Sequence, residues 1–403
     1  MPNPETMTSR QRITAALNFE PPDRLPVSDS LWDGLHRDWI AEGMPADVSP
    51  AGHFGWDIES MFIDASPRFD MIVHSRRDGW ITYEDRAGYT VRKLDGRSGT
   101  LDFLDHKTKN HADWENVTKP RMVLDDPSGA ARIDSAGYFC HHDPYPSWDE
   151  AARRFDAIHA RGRFVTFAGY GPWEATWRHH ALDELLVDVL DDPDWCADMF
   201  ATHTTLLLDV LQRGLDHGMK PDGIYLVEDM AFKTSLLISP ASWDALLRPC
   251  YERIGAFVRR HGIRFLMHSD GRMWDLIPRL IEVGVEALNP FECAAGMDIA
   301  ELRRQHPRQM ACFGNISVHN LLGNRAALDG ELQRKIPHAV NGGFIMHSDH
   351  SIPFGVKYEQ YQRALQRARE IFATERRSRF RVSEFSGPDG TEGRDTQTDK
   401  HTV

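Results

Sequence analysis

Glu228-Asp229, His268-Ser269-Asp270, Asn289 with Glu292, Asn315, and His347-Ser348-Asp349-His350 follow one another along the second half of the chain, each after a short apolar run. The His-x-Asp spacing at 268 and 270 can put an imidazole and a carboxylate on one metal ion. His347, Asp349 and His350 are candidates for its opposite side, and Glu228 for a further ligand. A nitrogen and oxygen donor set without thiolate suits zinc, manganese or iron, and a divalent metal, zinc foremost, is the cofactor we expect. Glu228, Asp229, His268 and Asp270 are the candidate catalytic groups. Trp173, Trp177, Phe232, Lys233, Asn289 and Asn315 are the candidates for contacting substrate. Each residue alone has a plainer reading, because an acid after a strand is often a helix N-cap and a lone histidine is usually a satisfied core residue. The recurrence of such groups at successive strand ends is what points to a site. His141-His142-Asp143 reads equally as a lid, a ligand source or a surface loop.

Groups so far apart in sequence converge only if the fold returns every strand tip to one end. From about residue 147 the pattern alternates helix and strand. Ser147-Trp148-Asp149-Glu150 is a capping box ahead of the apolar stripe Ala151, Phe155 and Ile158, and Phe164–Gly169 is a buried strand. Helices near 180–190 and 194–217 precede the strand at 223–229. A helix carrying Trp243 to Val258, kinked at Pro249, precedes 264–268, and three further helix and strand pairs end at 289, 314 and 347. Arg24–Asp29, after an N-terminal helix capped by Thr8 or Ser9, is the expected seventh strand, and 132–139 the expected eighth. The prediction is a (β/α)8 TIM barrel with an N-terminal helix and an inserted β-hairpin at about 79–94. An open doubly wound sheet is the competitor, but no glycine-rich phosphate turn follows any strand. The barrel is expected to occupy 1–374 as one domain, with a disordered tail at 375–403.

Composition narrows the function classes. Among 403 residues, 47 Lys and Arg face 60 Asp and Glu, a net charge of −13, which argues against a nucleic-acid or anionic-membrane surface. Five dispersed cysteines without a C-x-x-C suggest neither a disulfide framework nor a zinc ribbon, and fit a reducing cytoplasm. The N-terminus MPNPETMTSR has no signal-peptide pattern, and no apolar run is long enough to span a membrane.

At these same residues the sequence resembles the uroporphyrinogen decarboxylase superfamily, and more closely its branch of corrinoid-dependent methyltransferase-like proteins, over nearly the whole chain to about 372. The resemblance is carried by Thr8–Arg12, Asn18–Val27, Gly171-Pro172-Trp173-Glu174 with Trp177-Arg178, Glu228–Thr234 with Ile238-Ser239-Pro240, His268-Ser269-Asp270-Gly271, Leu288–Glu292 and Asp349–Pro353. It implies the barrel and a pocket at the C-terminal strand ends. In the family's thiol methyltransferases a His-x-Cys pair and a later cysteine hold zinc. Here His268 matches the histidine, Asp270 stands at the first cysteine, and Asp349 or His350 lies near the second. A site without thiolate is better suited to an oxygen-bearing substrate than to a thiol. The arginine- and glycine-containing N-terminal segment of the porphyrinogen decarboxylases is not found.

The resemblance therefore implies a methyltransferase that takes a methyl group from an oxygen-bound donor, such as an aromatic methyl ether, and passes it to a corrinoid. With no Asp-x-His-x-x-Gly motif present, that corrinoid must arrive on a separate protein. The expected partners are this corrinoid protein and the small-molecule methyl donor, with a homodimer also considered. One alternative is a decarboxylase using Lys233, Arg178 or Arg24 to hold carboxylates and Asp29 or Asp229 as the acid. The other is a barrel that binds without catalysis.

Overall fold

The computed structural model describes residues 5–99, 101–125, 128–134 and 145–385. Seven parallel strands pair in sequence order: Ile58–Ile63, Phe164–Tyr170, Gly223–Val227, Arg264–His268, Ala287–Asn289, Ala311–Ile316 and Phe344–Ser348. The Arg24–Asp29 segment closes the ring between the last of these and the first. Met346 N donates to Pro26 O (2.9 Å), Ser28 N to Met346 O (3.0 Å) and Asp57 N to Val27 O (2.6 Å). Pro26 has no N–H to give, so this stave is held by a short bridge rather than a full ladder. The result is a (β/α)8 barrel.

One stave differs from the sequence expectation. The eighth strand is Ile58–Ile63, not 132–139. Of the latter only Ile133–Asp134 is a strand within the described residues, and it pairs antiparallel with Phe62 and Ile63 outside the parallel ring. Ile58–Ile63 carries Glu59 and Ser60 among its apolar residues, which breaks the continuous run that betrays the other buried strands.

The N-terminal helix Ser9–Leu17 plugs the bottom of the barrel. Thr8 caps it in a reciprocal capping box with Gln11. Ile13, Ala16 and Leu17 pack against the inward residues Ile58, Phe164, Leu266, Ala287, Ala311, Phe313 and Ile345. Beneath the plug, Arg12 pairs with Asp23 (2.6 Å) and Asp57 (2.7 Å), and Arg24 also pairs with Asp57 (2.8 Å). Arg24 is thus committed at the end opposite the mouth and does not hold a substrate carboxylate. In the outer layer, the expected kink at Pro249 is a break between two helices, Pro240–Leu246 and Arg248–His261.

The expected hairpin is the middle of a larger insertion. Ile72–Arg77, Trp80–Glu84, Tyr89–Leu94 and Asp102–His106 form a four-stranded antiparallel sheet with its own core of Ile81, Tyr83, Ala87, Tyr89 and Val91. Asp78 (φ 54°) and Gly79 (φ 77°) make its first turn in the left-handed conformation that matches strand twist. The expected tail begins inside a helix, since Tyr358–Phe385 is continuous; residues 386–403, like His141-His142-Asp143, lie outside the described residues. No helix among the described residues is long and apolar enough to cross a membrane.

Candidate active site

Parallel register brings Val227, His268 and Asn289 level at adjacent strand tips, and Asn315 level with His347. Side chains alternate along a strand, so Tyr225 and His268 both face the barrel axis, Tyr225 level with Leu266 and packed on the Leu266 and Phe313 floor, His268 one layer above Leu266. The Asn289 Nδ2 donates to Phe313 O (2.7 Å), which turns its Oδ1 toward Tyr225 Oη (2.6 Å) and His268 Nδ1 (2.7 Å). An acceptor at that position requires a proton on Nδ1, so His268 presents Nε2 to the mouth.

His268 Nε2 meets two carboxylates, Asp229 Oδ1 at 3.6 Å and Asp270 Oδ2 at 3.7 Å. One ligand atom from each of Asp229, His268 and Asp270 lies within 4.8 Å of the others, the only such triad among the described residues. Asp270 N donates to Asp229 Oδ1 (3.0 Å), and His350 Nε2 stands 3.7 Å from Asp270 Oδ2. Asp270 Oδ1 is buried with no hydrogen-bond partner. Burial disfavours the charged imidazole, but Asp270, Asp229 and the Asn289 hydrogen bond outweigh it and lift His268 to about 10. Asp229 is pushed up by burial and by Asp270, against the pull of His268. Burial also works against the Asp270 carboxylate, but His268 and His350 hold it below the usual range. An orphaned carboxylate oxygen, a second carboxylate and a correctly oriented imidazole fit a divalent cation by donor type.

Other candidates are placed elsewhere. Glu228 is fully buried, with Oε1 accepting from Tyr251 Oη (2.5 Å) and Oε2 from Glu174 N (2.7 Å). It anchors the start of the helix Pro172–His179 and does not join the triad. A Cβ on Gly171 would fall 1.9 Å from Glu228 Oε1, so only glycine admits this contact. Burial pushes Glu228 up to about 8, and likewise Glu174 to about 7 despite its bond to Arg178 (2.5 Å). Asp349 is buried and accepts from Cys293 N (3.0 Å) and Val318 N (2.8 Å), which makes it a cap. Asn315 is wholly engaged, accepting from Ile299 N (3.2 Å) and donating to Phe291 O and to Met297 O (2.9 Å). His347 lies across the barrel beside Asp29 (3.7 Å), whose carboxylate Ser348 and Tyr361 also hold and whose burial pushes it up.

Trp173 does not ring the mouth. It is buried, its Nε1 donating to Asp229 O (2.9 Å), and so supports the loop from behind. Trp177 and the 62% exposed Phe232 line a cleft beside the mouth, and Lys233 is exposed on the same loop. Sequence reasoning placed Asp229 among the catalytic groups but not among the ligands, and it overlooked Tyr225. The signal was available. Tyr225, Val227 and Asp229 share one parity, and Glu228 has the other.

Residues 171–371 match the family model described as uroporphyrinogen decarboxylase (URO-D). Over that segment the chain is homologous to the uroporphyrinogen decarboxylase superfamily. A solved structure described as a methyltransferase from Methanosarcina mazei superimposes with a TM-score of 0.64 at 14% identity, covering 91% of this chain and 99% of that one. At that identity the likeness speaks for the fold. A search of curated proteins gives no match. The superfamily segment contains both acids of the triad and His268.

Proposed function

We propose that the protein is a methyltransferase that removes a methyl group from an oxygen-bound donor, possessing a divalent metal held by Asp229, His268 and Asp270 and a corrinoid acceptor carried on a separate cytoplasmic protein. The observation that carries this reading is the all-nitrogen-and-oxygen triad at the barrel mouth, with the four described cysteines elsewhere. A metal bound there supplies a Lewis acid for charge developing on a leaving oxygen, with zinc the best fit to the donor set. A reduced corrinoid supplies the nucleophile that an unactivated methyl ether requires.

The chain's own residues bind and orient. Asn289 and Tyr225 fix the His268 ring so that Nε2 faces the reacting end of the donor. Asp229 stands half-exposed at the mouth with Oδ1 3.6 Å from His268 Nε2, where its carboxylate would complete the ligand set. Glu228, Trp173 and Gly171 hold the loop that carries Asp229 and keep water from its back. The decarboxylase reading has less support, because Arg24 is paired at the far end and Arg178 is paired with Glu174.

The test is turnover of aromatic methyl ethers with and without a reduced corrinoid protein. Demethylation only in its presence is expected. Release of carbon dioxide from a carboxylated substrate without any corrinoid would instead establish the decarboxylase.

A further inference from the structure

The insertion and the barrel enclose a second space that the triad does not use. A cleft of about 730 Å³ lies between the inserted sheet's last strand, Asp102–His106, and the helix Leu182–Asp191, with Trp177 and Phe232 on its barrel side. Its size matches one small organic group. Phe103 meets Trp177 edge to face at 5.4 Å, and Leu104 and Phe232 are 53% and 62% exposed within it. Large apolar side chains left open around one concavity are the mark of a ligand surface.

The cleft's charged groups are acidic on balance. Asp105, Asp183 and Glu184 stand against Lys109 alone, and Lys109 is paired with Asp105 (2.7 Å). Among the described residues no ion pair engages Asp183 or Glu184. Both sit in the first turn of their helix, where the dipole favours the carboxylate. His106, stacked on Phe103 at 5.9 Å, has a buried Nε2 with no hydrogen-bond partner. Burial lowers its pKa against the pull of Asp105 and Asp183, so the ring is neutral and adds no positive charge. The rings also tolerate cations, since the Arg178 guanidinium lies 4.1 Å from the Trp177 ring.

This cleft abuts the candidate active site through both of its acid-bearing loops. Trp177 Nε1 donates to Glu174 Oε2 (2.8 Å), which also accepts from Asp229 N (3.3 Å). Phe232 O accepts from Arg272 N (2.8 Å), two residues after Asp270. We propose that the cleft seats one arm of the substrate, and that this arm is a flat apolar group ending in a protonated amine. The assignment rests on the proposed function only in calling that molecule the substrate; the binding preference stands by itself.

The test is calorimetric binding to the purified full-length chain without corrinoid. The probes are para-methoxyphenethylamine, para-methoxyphenethyl alcohol and para-methoxyphenylacetate. The amine is expected to bind about three- to tenfold more tightly than the alcohol, and the acid more weakly than either, the range given by two exposed carboxylates and a ring contact. In an Asp183→Asn, Glu184→Gln double variant the amine should lose most of its advantage, keeping no more than the ring contact gives, while the alcohol is unchanged. Leu186→Trp, which fills the cleft, should weaken all three. The proposal is overturned if the acid binds as well as the amine, if most of the preference survives the double variant, or if none of the probes binds. Because no methyl transfer is read, these outcomes are independent of the turnover assay that tests the reaction.

Discussion

Replacing Asn289 by alanine should loosen a metal at the mouth about tenfold while the barrel stays folded. His268 Nδ1 has one close acceptor, Asn289 Oδ1 at 2.7 Å, with Tyr225 Oη next at 3.3 Å. Losing an outer partner of a metal-binding histidine costs about 10- to 100-fold in affinity. The lower end is expected here, because the Tyr225 hydroxyl loses its own acceptor in the same variant and can turn to Nδ1 in compensation. Tenfold corresponds to about 1.4 kcal/mol. Stability should fall separately by about 2–4 kcal/mol, since both Phe313 O and Tyr225 Oη lose a buried partner. Zinc titration by calorimetry, with thermal unfolding of the same samples, separates the two effects. Asn315→Ala is the control, because that amide is equally buried but serves Ile299, Phe291 and Met297, so it should destabilise without touching affinity. A folded Asn289→Ala protein that binds zinc as tightly as the parent would refute the orienting role, and a parent that binds no divalent metal would remove the triad's assignment.

Four further outcomes follow from the structure. His268→Ala, Asp229→Asn and Asp270→Asn should each abolish stoichiometric metal by elemental analysis. Asp349→Ala should keep the metal and lose about 1–2 kcal/mol of stability with its two backbone bonds. Gly171→Ala should destabilise by about 1–3 kcal/mol in a denaturant midpoint, since the new methyl must displace the Glu228 carboxylate rather than a flexible tip. At the barrel's base, burial works against the Asp23 carboxylate, but Arg12 and the amides of Met7 and Thr6 outweigh it and hold it at about 2. A depressed carboxylate stabilises the fold above its unfolded value near 3.8, and that contribution is lost as pH falls through about 2. Asp23→Asn should therefore cost about 2–3 kcal/mol at neutral pH, and the gap from the parent should close between about pH 4 and pH 2 in urea titrations.

Much of the architecture was legible locally. Helix starts at Thr8 and Ser147 are written in hydroxyls that can satisfy orphan N–H groups, and the later strands in short apolar runs between amphipathic helices. His268 and Asp270 were legible as site residues because a strand tip in a barrel has one destination. Ile58–Ile63 was not, since its mixed composition makes sense only once it lies between Arg24–Asp29 and Phe164–Tyr170. The extent of the inserted sheet and of the last helix likewise depended on which surfaces found neighbours. The division of labour among the acids was a tertiary decision. Glu228 and Asp229 are chemically near-identical neighbours, yet one turns outward onto a helix N-terminus and Tyr251 while the other turns inward to His268. Asp349 and Asn315 carry donor and acceptor groups suited to a site, but orphan backbone groups from distant loops reach them first. Sequence determined which side chains stand at the strand ends. Only the packed structure decided which of them the backbone consumes and which remain for chemistry, because a buried polar group must satisfy its hydrogen bonds with whatever the fold brings alongside.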